Sequence, residues 1–245
     1  MPYIQATTRA GDTVILEQYQ APRWNCKGGV RLPASEPICE AQERANANRE
    51  KREFIIKVNA NFKEGDYHLV LDYTNSDRPQ EIEAAKDDRE HFMRRLRYIY
   101  KRAGVVLKYI IITEWGKKRG GLHHHLIINR DRGIDEDLIR RAWKKGRVHF
   151  NPLDDKGDYT QLASYLVKNR VNWRKYGGSG RQWTCSRNLA RPKTEKKIVK
   201  RDIYYDKPKP RPGYYISEYS ESGFTKEGYP YRFYVFVKDK RVRDP

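Results

Sequence analysis

The sequence predicts an α+β protein, and three observations carry the prediction. Between residues 67 and 170 the strand and helix signals follow the order β-α-β-β-α-β-α. A polar segment before them has helical composition, and a Tyr-rich alternating segment after them reads as a terminal β-hairpin. The 245 residues and 29.1 kDa suit one full domain with appendages, or at most two small domains. The expected organisation is an N-terminal helical arm at 1–62, a central domain at 63–192, and a basic connector with a C-terminal hairpin tail at 193–245.

The arm starts with an irregular, turn-rich stretch and continues as a helix from Ser35, an N-cap residue type, toward Ile55. Residues 67–74 have strand composition. Arg78-Pro79 then opens a long helical pattern in which Phe92, Leu96 and Ile99 share one face, and Gly104 closes it. Two β-rich runs, 107–115 and 122–129, flank the turn-like 116–121, so an antiparallel hairpin is the economical pairing. Residues 135–146 form a short helix, 147–152 a strand, and 159–170 a helix with an apolar face at Leu162, Ala163 and Leu166. From 191 to 212 the composition shifts to nine Lys/Arg, three Asp/Glu and four Pro, an extended basic connector. Alternation at 214–216 and 231–237, around a Gly-containing turn at 223–228, gives the tail hairpin.

Composition narrows the function. Lys and Arg number 51 against 32 Asp and Glu, a net charge of +19 that draws polyanions by long-range attraction and counterion release. Nucleic acid is the leading partner, and 18 Tyr and 5 Trp among these cations offer flat faces on which unpaired bases stack. Mean hydropathy is −0.98, and no run approaches the ~20 apolar residues of a membrane span. The N-terminus lacks the basic and apolar regions of a secretion signal, so the cytoplasm is the expected compartment. Cys26, Cys39 and Cys185 are too few and too scattered for a disulfide framework or a zinc site. No GxxxxGK[ST] motif is present, so no P-loop motor accompanies the rest.

The chemistry concentrates at two places. Three of the six histidines stand together in the apolar strand Gly121-Leu122-His123-His124-His125-Leu126-Ile127-Ile128-Asn129. Strand alternation sends His123 and His125 to one face and His124 to the other. Glu114 lies near the end of the preceding strand, where a short hairpin can bring its carboxylate beside the pair. Two imidazoles and one carboxylate suit Mn²⁺ or Mg²⁺ opposite a phosphate, and zinc or nickel can also bind such a set. The second place is Tyr165-Leu166-Val167-Lys168, where a spacing of three puts Lys168 beside Tyr165 on one helix face. A tyrosine hydroxyl can attack a phosphodiester if a metal polarises the phosphate and a cation stabilises the developing charge.

Together and in this order these motifs resemble the HUH endonuclease superfamily, specifically the single-tyrosine rolling-circle replication initiators of bacterial plasmids and phages. The resemblance runs from about Tyr67 to Pro192. It takes in Leu71-Asp72-Tyr73-Thr74, Thr113-Glu114-Trp115-Gly116, the histidine strand, Tyr165 to Lys168, and Ser186-Arg187-Asn188-Leu189-Ala190-Arg191-Pro192, which looks like a segment found downstream in phage-type members. It implies an HUH/RRM-like antiparallel sheet flanked by helices, with the metal histidines on a central strand and the tyrosine on a helix facing them. By position it implies that His123, His125 and Glu114 bind a divalent metal, that Tyr165 is the nucleophile and that Lys168 assists at the phosphate. The residue between the paired histidines is usually hydrophobic in the family and is His124 here, so a register with His124 as ligand stays open. The nearest upstream tyrosine, Tyr159, is six residues from Tyr165, which favours one nucleophile over two.

The implied activity is nicking of single-stranded or extruded origin-hairpin DNA in a bacterial cell, through a 5'-phosphotyrosine link and a free 3'-OH, followed by rejoining. A host helicase and DNA polymerase are the implied protein partners. Three other readings remain: a single-tyrosine HUH transposase, a non-catalytic reader of single-stranded nucleic acid, and a protein with a structural metal.

Overall fold

The computed structural model describes residues 2–20, 40–115, 121–168, 182–200, 208–224 and 228–241, with side chains of the first helix from residue 46 onward. The first elements in the chain are β1 (Tyr3–Ala10), β2 (Thr13–Gln20), α1 (Glu40–Asn61), β3 (Tyr67–Leu71), α2 (Ile82–Arg102), β4 (Tyr109–Trp115), β5 (Leu122–Ile128) and α3 (Glu136–Ala142). They are followed by β6 (Val148–Pro152), α4 (Thr160–Val167), β7 (Trp183–Cys185), β8 (Thr194–Val199), β9 (Tyr214–Ile216), β10 (Glu221–Phe224) and β11 (Pro230–Lys238). The chain divides into two units. One comprises Met1–Ala60, Gly157–Gln161 and Arg191–Pro245, the other Asn61–Lys156 and Leu162–Ala190.

The first unit is an antiparallel sheet of order β10-β11-β2-β1-β8, with β9 also paired to β11. Here the structure departs from the expected helical arm, because residues 3–20 are a β-hairpin and not an irregular stretch. Gly11 and Asp12 make its two-residue turn, Gly11 at φ 58, a backbone that favours glycine. A Cβ there would also stand 2.2 Å from the Asn59 carbonyl oxygen, so the approach of α1 excludes a side chain as well. The signal was present in a Gly-Asp turn between runs rich in threonine and β-branched residues, but interspersed polar residues blurred the alternation. A helix does form in this region, over Glu40–Asn61, and runs past the expected end toward Ile55. Phe54, Ile55 and Val58 of α1 are fully buried. Arg52 donates to Glu17 Oε1 at 3.1 Å and lies over the rings of Tyr231 and Phe233.

The expected tail strands form, with β9 pairing antiparallel to β11, but an additional strand, β10, takes in the start of the expected turn and pairs with β11 as well. Part of the basic connector is more regular than its composition suggests: Thr194–Val199 is an edge strand on β1, with Lys196 and Lys197 exposed. The candidate cap Ser35, Cys26, Cys39, the turn residues 116–120 and 225–227, and residues 201–207 of the basic connector lie outside the described residues.

The second unit has a five-stranded, wholly antiparallel sheet of order β6-β3-β5-β4-β7. From β3 to α4 the elements follow the expected β-α-β-β-α-β-α order, and β7 is an additional edge strand. Helix α2 buries Ile82, Ala85, Phe92, Met93, Leu96 and Tyr100, a helical-period stripe against one face of the sheet. That stripe meets Leu69, Leu71, Ile111, Leu126 and Ile128 in the main core. A fully buried side chain such as Phe92 or Leu96 stabilises the fold by about 1.5–3 kcal/mol. Gly104, at φ 69, stops the helix as the sequence indicated, and its N–H donates to the Lys101 carbonyl. Asp135 caps α3 by accepting from the Asp137 N–H at 2.9 Å.

Candidate metal centre

The site is built on the sheet face opposite α2. β5 is the middle strand, and its pairing with β4 sets Glu114 directly across from His123 and Ile112 across from His125. Side chains at these paired positions share a face, so Glu114, His123 and His125 converge while His124 turns to the core. Glu114 Oε2 lies 3.2 Å from His125 Nε2 and 3.8 Å from His123 Nε2, and the two Nε2 atoms are 3.1 Å apart. The ligand-capable atoms of these three residues all lie within 4.8 Å of one another.

The chemistry of this donor set fits a divalent cation. Glu114 and His125 are buried, and His123 is partly so. Burial, reinforced by the neighbouring His125, pushes the His123 imidazole below its ordinary value, against the opposing pull of Glu114. A neutral imidazole keeps the lone pair that a metal takes, and a desolvated carboxylate adds negative charge.

His124 turns to the opposite face of the sheet from the pair. It is fully buried, with Nε2 3.0 Å from the Tyr73 hydroxyl and Nδ1 3.0 Å from Thr113 Oγ1. Arg89 donates to the same Thr113 hydroxyl at 3.3 Å, and the Trp143 ring packs edge-on at 5.7 Å. Burial holds its pKa well below the ordinary value. His124 therefore belongs to a polar knot in the core, and both ring nitrogens are engaged there.

Helix α4 seats Ala163 and Leu166 in full burial and leaves Tyr165 45% exposed. The Tyr165 ring centroid lies 6.1 Å from that of His125, at an interplanar angle of 82°. Lys168 sits beside Tyr165, its Nζ 4.1 Å from the ring centroid. The five residues singled out in the sequence thus occupy one region of the second unit, Lys168 reaching it through Tyr165.

Three nearby residues escaped the sequence reading. His68 Nε2 lies 3.0 Å from His125 Nδ1, and the two rings stack at 27° with centroids 5.2 Å apart. Burial, with a smaller contribution from His125, pushes the His68 imidazole down to about 3. His149 on β6 pairs with Asp72, just past the end of β3, at 3.0 Å. Period-two alternation places His68 and Val70 on the face away from Leu69 and Leu71, but which strand lies beside β3 is a property of topology. The downstream Ser186 to Pro192 segment fastens β7 to β4: the Tyr109 N–H donates to Ser186 Oγ at 3.1 Å and Asn188 donates to the Leu107 carbonyl at 3.0 Å.

An antiparallel sheet carrying a His-x-His pair and a facing carboxylate is the scaffold of a candidate divalent-metal centre. Residues 66–170, which contain every residue of that centre, match the family described as Replication-associated protein ORF2/G2P. No curated protein and no solved structure matches the chain.

Proposed function

We propose that this protein is a rolling-circle replication initiator of the phage or plasmid kind, an HUH-type nicking and joining enzyme acting on single-stranded origin DNA. The observation that carries the reading is the convergence of Glu114, His123 and His125 beside Tyr165, inside the segment that matches a replication-associated family. Residues 63–192 are the endonuclease domain in this reading, with 1–62 and 193–245 as basic and aromatic appendages.

Glu114, His123 and His125 would hold Mn²⁺ or Mg²⁺, which supplies Lewis-acid polarisation of the scissile phosphate. The Tyr165 hydroxyl gives its proton to solvent as its oxygen attacks phosphorus. A Tyr Oη–P bond forms, the P–O3' bond breaks, and the departing 3' oxygen takes up a proton. The products are a 5'-phosphotyrosine and a free 3'-OH. Because one phosphoester replaces another, the same 3'-OH or a later one can reverse the exchange and reseal the strand without ATP. Lys168 stabilises charge near the phenolic oxygen. The 3'-OH primes synthesis by a host polymerase, and a host helicase supplies unwinding, in the cytoplasm of a bacterial cell.

The test is incubation with Mn²⁺ and a library of labelled single-stranded oligonucleotides, followed by denaturing electrophoresis and peptide mapping. A denaturant-resistant adduct on Tyr165 is expected. Cleavage without an adduct would make the protein a hydrolytic nuclease, and no cleavage with any oligonucleotide would favour a binding protein.

A further inference from the structure

We infer that His68 is a positioning residue for the metal centre: it accepts a hydrogen bond from His125 Nδ1–H and so holds His125 in the tautomer whose Nε2 lone pair faces Glu114. The inference rests on the proposed divalent-cation site and adds a residue to it.

The geometry comes from the sheet. In the β3–β5 register His68 pairs with Ile127 and Val70 pairs with His125, so His68 and His125 are diagonal neighbours on one face. The pleat brings His68 Nε2 to 3.0 Å from His125 Nδ1, and the stacked rings fix that approach. Two imidazole nitrogens at this distance share one hydrogen. If it sits on His68, His125 Nδ1 accepts it, and a neutral His125 then carries its own hydrogen on Nε2, toward Glu114 Oε2 at 3.2 Å. If it sits on His125 Nδ1, Nε2 is a free donor atom beside Glu114 and His123. Only the second arrangement is compatible with a cation at Nε2. Metal-bound histidines generally donate their other ring N–H to an oriented acceptor, which fixes the ring and raises its basicity. Here the acceptor is another imidazole. His68 is half-buried and shares its face of β3 with Val70, whose apolar side chain shows that packing there does not itself call for an imidazole.

Mn²⁺ affinity of the full chain, read from the signal of free Mn²⁺ in electron paramagnetic resonance, separates the roles. His68→Phe keeps a stackable ring and removes the acceptor, so its dissociation constant should rise about 10–100-fold. His68→Gln supplies an amide oxygen and should stay within about threefold of the parent, this margin being well below the effect expected for a lost partner. A His68→Phe protein that binds Mn²⁺ within that same margin would overturn the inference, as would equal losses in both variants. A second measurement needs no variant. In Zn²⁺-loaded parental protein with ¹⁵N-labelled histidine, two-bond proton–nitrogen correlations should show a proton on His125 Nδ1, and its absence would overturn the assignment. Should the parental protein take up no Mn²⁺ or Zn²⁺, the metal reading itself would fall and the role of His68 with it.

Discussion

Glu114 on β4 and His125 on β5 meet through Oε2 and Nε2 at 3.2 Å, both side chains buried. A buried carboxylate or imidazole is costly to the fold, but the three groups brought together away from water form a cation site with little reorganisation. Glu114→Gln, His123→Ala and His125→Ala should therefore each weaken Mn²⁺ binding by more than about 100-fold, the upper end of what loss of an outer partner costs. Metal-dependent cleavage should fall in parallel. Affinity for single-stranded DNA in the absence of metal should remain, since the +19 surface is untouched. Calorimetric metal titration beside filter binding of an oligonucleotide checks both halves.

His124→Ala should behave in the opposite way. The substitution empties a fully buried site and removes a ring-nitrogen partner 3.0 Å from each of the Tyr73 and Thr113 hydroxyls, of which Thr113 keeps its bond from Arg89. A cavity together with lost buried hydrogen bonds costs about 2–5 kcal/mol. Chemical denaturation should show this loss, while the fraction that stays folded keeps the parental Mn²⁺ affinity. Loss of metal binding without loss of stability would mean that the strand register is shifted by one residue.

How far the site could be read in the sequence follows from which relations are local. His123 and His125 separate from His124 by strand alternation alone, and Glu114 reaches them through one short hairpin, so these three were accessible. Tyr165 and Lys168 lie one turn apart on a helix, also a local relation, although their approach to His125 was legible only by family resemblance. His68 could not be found in this way: its contact depends on β3 pairing with β5 while β4 pairs with the other edge, and no spacing along the chain encodes that choice. The β1–β2 hairpin was missed for another reason. Its strands mix threonine, glutamine and glutamate with apolar residues, and its burial depends partly on α1, more than twenty residues away in the sequence.

Acid should destabilise the metal-free protein over a definite window. His68 has its pKa pushed from 6.5 to about 3 by burial, and His124 and His123 are shifted in the same direction. Above 6.5 these histidines are neutral whether the chain is folded or unfolded, and their contribution is constant. As pH falls from 6.5 toward 3 the unfolded chain binds protons that the folded chain refuses, so stability declines across that interval. Urea midpoints measured at intervals from pH 7.5 to 4 should fall steadily below 6.5. In His68→Phe one of these groups is absent, so the decline should be shallower. An equal slope in parent and variant would show that His68 is not held neutral in the fold.

Tyr165 carries the proposed reaction, and its position makes a clean test feasible. At 45% exposure, on a helix anchored by Ala163 and Leu166, it loses only an oxygen in Tyr165→Phe, and stability should change by no more than about 0.5 kcal/mol. Mn²⁺ affinity and oligonucleotide affinity should be unchanged, while nicking and the covalent adduct both disappear. Lys168 lies over the Tyr165 ring, with Nζ 4.1 Å from its centroid, so Lys168→Ala removes a cation near the nucleophile and leaves the nucleophile in place. Single-turnover cleavage should then slow by about 10- to 100-fold, a loss of roughly 1.4–2.8 kcal/mol in transition-state stabilisation, with an adduct still formed on Tyr165. Lys168→Arg should recover part of the rate because the charge is kept. Equal rates for Lys168→Ala and the parent would reduce the lysine to a packing role on α4, and nicking by Tyr165→Phe at the parental rate would assign the attack to water.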